Sequence, residues 1–66
     1  MDIIINGKSQ IIAEDLTVEQ LLSNQNFNKN HVVVEVNGTI VRREEYGIRH
    51  LEKGDIVEIL RFVGGG

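Results

Sequence analysis

Two Asn-Gly dipeptides, Asn6-Gly7 and Asn37-Gly38, constrain the fold of this 66-residue chain more than any other feature. Both residues of such a pair tolerate the positive φ of a type I′ turn, the two-residue loop whose twist matches an antiparallel strand pair. The flanks agree with that reading. Residues 2–6 are dominated by isoleucine and residues 32–37 by valine, β-branched types that suit a pleated, half-buried surface. Two hairpins are therefore expected, pairing residues 2–6 with 9–14 and residues 32–37 with a short strand at 39–42. Alternation puts Ile11 and Ala13 on one face of the second strand and Ile12 on the other. In the third strand Val32, Val34 and Val36 alternate with Val33 and Glu35.

Between the hairpins lies a helix start. Thr17 stands at the N-cap with Gln20 three residues on, the capping-box spacing, and Leu16 and Leu21 hold the two positions of a hydrophobic staple. Glu19 in the first turn suits the positive end of the helix dipole. Val18, Leu21 and Leu22 form one apolar stripe, and the helix should stop near Gln25, where asparagines crowd in. Residues 24–31 read as a polar loop with Phe27 folded back onto the core. Arg42-Arg43-Glu44-Glu45 reads as a solvated turn. Tyr46, Ile48 and Leu51 should tuck an irregular segment under the sheet. Lys53-Gly54-Asp55 makes a turn into a last strand at 56–63.

Hairpin, helix, hairpin, connector, strand is the order of an α+β two-layer domain. The expected architecture is a mixed sheet of four to five strands with one principal helix on one face. A right-handed crossover carries the chain from first hairpin through helix to third strand. The domain spans residues 1–63, and 64–66 form a flexible glycine tail.

Composition removes several functions. Without cysteine there is no thiolate metal site, disulfide or thiol nucleophile. A formal charge of −3 argues against nucleic acid and against an anionic membrane surface. The longest apolar runs are far too short to span a bilayer, so a cytoplasmic protein, monomeric when free, is expected. His31 and His50 have no metal-ligand spacing around them. Ser9 and Ser23 lack a nucleophile-elbow context, and Glu44-Glu45 reads as a charged turn. No catalytic constellation, metal site or bound cofactor is expected.

The last strand points outward. Period two places Val57 and Ile59 on one face and Ile56, Glu58, Leu60 and Phe62 on the other. A charged residue in the second set implies contact with solvent, so Leu60 and Phe62, with Val63 beside them, are candidates for a partner-binding patch. Gly64-Gly65-Gly66 follows. Three extended residues reach about 10 Å, and glycine suits a backbone that must approach something closely. The tail by itself admits two readings, a probe for a narrow slot in another protein and a frayed end.

Taken together, the Asn-Gly hairpin, the capped segment from Leu16 to Leu22, Val36-Asn37-Gly38, the segment from Lys53 to Ile59 and the terminal glycines resemble the ubiquitin-like β-grasp sulfur carriers of the ThiS/MoaD type. Tyr46 and Phe62-Val63 suit that resemblance, which covers essentially the whole chain. It implies a β-grasp fold and a protein that is a co-substrate, with no catalysis of its own. It further implies that an E1-like, ThiF-like adenylyltransferase activates the carboxylate of Gly66 with ATP. Sulfur supplied through a cysteine desulfurase then replaces AMP to give a thiocarboxylate. A ThiG-like thiazole synthase receives that sulfur, and Gly64 and Gly65 thread the tail into the partner's site. ATP and sulfur donor are used through the partners. The small subunit of molybdopterin synthase and ubiquitin-like protein modifiers share the tail. TGS-like binding modules share Val-Asn-Gly and the Gly-Asp-x-Val-Glu-Ile segment but lack the diglycine end.

Overall fold

Asn6 and Gly7 adopt φ values of 49° and 82°, and Asn37 and Gly38 take 52° and 84°. Both dipeptides thus turn with two successive positive φ angles, as the hairpin reading requires. The computed structural model describes residues 1–63 of the chain. The first turn joins β1 (Asp2–Ile5) to β2 (Lys8–Ile11), and the second joins β3 (Val32–Val36) to β4 (Thr39–Val41). Helix α1 (Val18–Asn24) lies between the hairpins, and β5 (Ile56–Arg61) comes last. The five strands form one sheet in the order β2-β1-β5-β3-β4. β5 runs parallel to β1 and antiparallel to β3, so β2 and β3, joined through α1, point the same way.

β2 stops at Ile11, short of the expected residue 14. Its partner β1 has four residues, and Asp2 already pairs with Ile11. Beyond it Met1 and Ile12 exchange the last bonds: the Ile12 N–H donates to Met1 O at 2.8 Å and the terminal ammonium donates to Ile12 O at 2.6 Å. No strand remains for Ala13 to join.

Thr17 caps α1 as read from the spacing. The Gln20 N–H donates to Thr17 Oγ1 at 3.1 Å, and the Thr17 N–H donates to Gln20 Oε1 at 2.9 Å. Such a cap contributes about 0.5–2 kcal/mol. Asn26 then turns to φ 62°, which closes the helix. Val18, Leu21 and Leu22 are buried with Ile3, Ile5, Val34, Val36, Val57 and Ile59 of the sheet.

The connectors hold two surprises. Residues Lys29–His31 and Arg43–Glu45 form single 3₁₀ turns. Tyr46 and Leu51 are buried as expected, but Ile48 is 75% exposed. The Tyr46 N–H bonds Arg43 O and the Ile48 N–H bonds Glu45 O, so the helical winding continues through this segment. Residues two apart on such a winding do not face the same side; burying Tyr46 turns Ile48 outward.

Candidate functional site at the end of the central strand

β5 is the middle strand, so both its edges are available for pairing, and even and odd residues use different edges. Phe62 N–H donates to His31 O at 3.1 Å, and Asn37 N–H to Ile56 O at 2.7 Å. Even-numbered residues therefore turn their main-chain groups toward β3. Asn6 N–H donates to Val57 O at 2.9 Å and Ile4 N–H to Asp55 O at 2.9 Å, so odd-numbered residues face β1.

The asparagines of the two turns also grip this strand. Asn6 Oδ1 accepts from Ile59 N–H at 2.7 Å while its Nδ2 donates to Ile59 O at 3.1 Å. One side chain thereby reproduces the pairing of a strand residue after β1 has turned away. Asn37 Oδ1 accepts from Ile56 N–H at 2.9 Å, and its Nδ2 donates to Asp55 Oδ1 at 2.9 Å. The buried Asp55 carboxylate also accepts from Glu52 N–H at 2.8 Å. Sequence reasoning identified the turns but missed these grips. Asn6 and Ile59 lie 53 positions apart, and no local pattern announces that an asparagine needed for its backbone angle also has a distant partner.

At its far end β5 stops at Arg61, two residues before the expected limit. β1 and Asn6 offer nothing past Ile59, and β3 begins opposite Arg61 at Val32, so Phe62 keeps a single bond to His31 O. The Arg61 guanidinium lies 4.5 Å from the centroid of the Phe27 ring, a cation–π contact worth about 0.5–1 kcal/mol at an exposed site. Phe27 is itself partly buried against the core, as anticipated. A groove of ≈ 300 Å³ runs beside this end, lined by Asn26, Asn28, His31, Arg61, Phe62 and Val63 among others.

Val57 and Ile59 are buried, whereas Leu60 is 58%, Phe62 42% and Val63 100% exposed. The strand alternation thus puts Leu60 and Phe62 in solvent, and Val63 is exposed past the end of the strand. The register extends their surface: Leu60 lies opposite Val33, Glu58 opposite Glu35, and Glu35 also opposite Ile40. The face away from α1 therefore carries apolar side chains around two directly opposed glutamates. Like charges so placed destabilise a sheet. Gly64, Gly65 and Gly66, the tail residues singled out from the sequence, lie outside the described residues.

His31 and His50 are exposed, and His50 Nδ1 lies 3.2 Å from Asp15 O. Among the described residues no group of histidine and carboxylate side chains could hold a metal ion, and no helix is long and apolar enough to cross a membrane. Arg42 Nε donates to Glu45 Oε1 at 3.4 Å; this holds the Glu45 carboxyl below its usual range and raises the guanidinium. Burial pushes the Tyr46 phenol up.

Residues 3–66 match the model of the ThiS family. The sulfur carrier protein ThiS of Bacillus subtilis is 36% identical over 63 residues, covering 94% of this chain and 96% of that protein. A thiazole synthase of Paramagnetospirillum magneticum is 36% identical over 66 residues, all of this chain, which spans only 20% of that protein's length. The crystal structure of a thiamine biosynthesis protein (ThiS) from Geobacter metallireducens superposes with a TM-score of 0.86 at 39% identity, covering 100% of both chains.

Proposed function

The chain belongs to the ThiS family, and from that premise we propose that it carries sulfur for thiazole formation in thiamin biosynthesis on the carboxylate of Gly66. The observation that carries this reading is the extent of the family match, which runs through Gly64 and Gly65 to residue 66. The fold supports it by making the strand before the glycines the central one, gripped from both sides up to Ile59.

A carboxylate is a poor electrophile. In the proposed sequence an E1-like adenylyltransferase joins the Gly66 carboxylate to the α-phosphoryl group of ATP and releases pyrophosphate. A persulfide formed through a cysteine desulfurase route then displaces AMP to give an acyl disulfide, and a second thiol of the sulfur-transfer partner breaks its S–S bond, releasing the thiocarboxylate and leaving a disulfide on the partner. This chain contributes reach and access, since Gly64 and Gly65 put no side chain in the path. The partner supplies the donors that stabilise developing charge. Leu60 and Phe62, exposed where the tail begins, are proposed to dock the adenylating partner. A thiazole synthase is proposed to receive the sulfur, a reading supported by the thiazole synthase that holds a segment similar to this whole chain. The use of ATP sets the proposed chemistry in the cytoplasm.

Deleting Gly66 retracts the carboxylate by roughly 3.5 Å, far beyond the tolerance of a near-attack geometry. With adenylating enzyme, ATP and a sulfur donor, intact-mass measurement should show oxygen-to-sulfur exchange on wild type and none on the deletion variant. Equal thiocarboxylate formation by the two proteins would overturn the reading.

A further inference from the structure

The alternation along β5 leaves one edge of its end open. Odd-numbered residues present N–H and C=O toward β1, as the bonds at Asp55, Val57 and Ile59 show. β1 ends at Ile5, and the Asn6 side chain extends its pairing only to Ile59. Arg61 and Val63 continue the odd series, and among the described residues their main-chain groups on that side meet no hydrogen-bonding partner. Phe62, between them, spends its N–H on His31 O. The root of the tail is thus half a strand pair, closed toward β3 and open toward the line that β1 vacates.

We propose that an extended segment of the adenylating partner pairs with this open edge, adding main-chain hydrogen bonds at Arg61 and Val63 where β1 would otherwise continue. The inference rests on the carrier reading and names how the tail root is recognised. Reach argues for the occupant. Gly66 is three residues past Val63, so its carboxylate lies within about 10 Å of that residue. An active site that holds the carboxylate must bring its own polypeptide up to Val63. Past Val63 the tail has no side chain to read, which makes main-chain bonding the recognition its chemistry offers. In such strand addition the main-chain bonds supply affinity and are blind to side-chain identity.

Amide-to-ester replacement at Val63, with its α-hydroxy-acid counterpart in place of the residue, removes the N–H and keeps the side chain; Val63→Ala does the reverse. Carrier-dependent ATP–pyrophosphate exchange by the adenylating enzyme gives an apparent KM for each protein. The ester is expected to raise it about tenfold, the effect of one lost interfacial hydrogen bond, and to raise it more than Val63→Ala does. Denaturant unfolding of the ester should match wild type, since that N–H has no partner among the described residues. An ester with wild-type KM, or an alanine variant as impaired as the ester, would overturn the pairing while leaving the carrier reading intact. Absence of exchange with wild type would overturn the carrier reading and the pairing with it.

Discussion

The start and the end of β5 are built to opposite specifications. At the start, Asp55 and Ile56 are tied by Asn37, by Glu52 N–H and by Ile4 N–H, and a buried carboxylate organises the turn. At the end, Arg61 to Val63 keep one bond to His31 and one stacking contact with Phe27, and their side chains stand in solvent. A strand meant only to stabilise a sheet would be gripped along its whole length. Here the grip is strongest where the chain enters the sheet and fades toward the tail, so the end can be handled by a partner without disturbing the core. Damage at the start should therefore cost stability, and damage at the end should cost recognition.

Asp55→Ala is expected to break this contrast most severely. It leaves Glu52 N–H and the Asn37 amide without their charged acceptor; losing hydrogen bonds to a buried charged group costs about 2–4 kcal/mol. Chemical denaturation should show that loss, with adenylation of the folded protein preserved. Destabilisation confined to a few tenths would mean that the Asp55 cluster does not anchor the strand.

Asn6→Ala should come next, at about 1–3 kcal/mol. It orphans both main-chain groups of Ile59 and puts a residue that resists positive φ at 49°. Asn6→Gly accommodates the angle but still lacks the amide. The part of the loss that glycine fails to restore measures the grip on β5, and full recovery would show that only the backbone angle mattered.

Phe62→Ala tests the other side of the contrast. A half-exposed ring should cost well under the about 3–5 kcal/mol of a core aromatic truncation, while affinity for the adenylating enzyme should fall about tenfold, by analogy with aromatic anchors at interfaces. Titration calorimetry and unfolding on the same variant decide it. A large stability loss with unchanged binding would place Phe62 among the structural residues.

These cases also show what the sequence could reveal. Strand order around the Asn-Gly turns, the Thr17 cap and the exposure of Leu60 follow from spacing alone, because each depends on neighbours within a turn or a pleat. Ile48 was misplaced because its apolar character suggested burial, whereas the winding that buries Tyr46 turns it outward. The lengths of β2 and β5 were overestimated because a strand ends where its partner does, and partner length is not a local property. The asparagine grips were invisible for the same reason: Ile59 is a neighbour of Asn6 only after folding. The open edge at Arg61 and Val63 follows from those unread facts combined.

The smallest effect concerns the buried connector that supports the sheet away from both ends of β5. Burial raises the Tyr46 phenol above its ordinary value, with Arg43 opposing the shift, so the folded protein favours the neutral ring. The contribution is fully present below the unfolded value of about 10 and is lost as pH rises through the elevated folded value. Glu45 has the opposite sign. Arg42 depresses its carboxyl, so its contribution exists above the unfolded value near 4.3 and disappears as pH falls through the folded one. Both groups of that pair are in solvent, where such bonds are worth little, so the alkaline limb should be the easier one to detect. Tyr46→Phe keeps the ring and removes the titration. Subtracting its urea midpoints from those of wild type between about pH 8 and pH 11 cancels the lysines and arginines common to both. Wild type is expected to lose ground against the variant only above about pH 10, whereas a flat difference across that range would show that burial does not hold the phenol above its unfolded value.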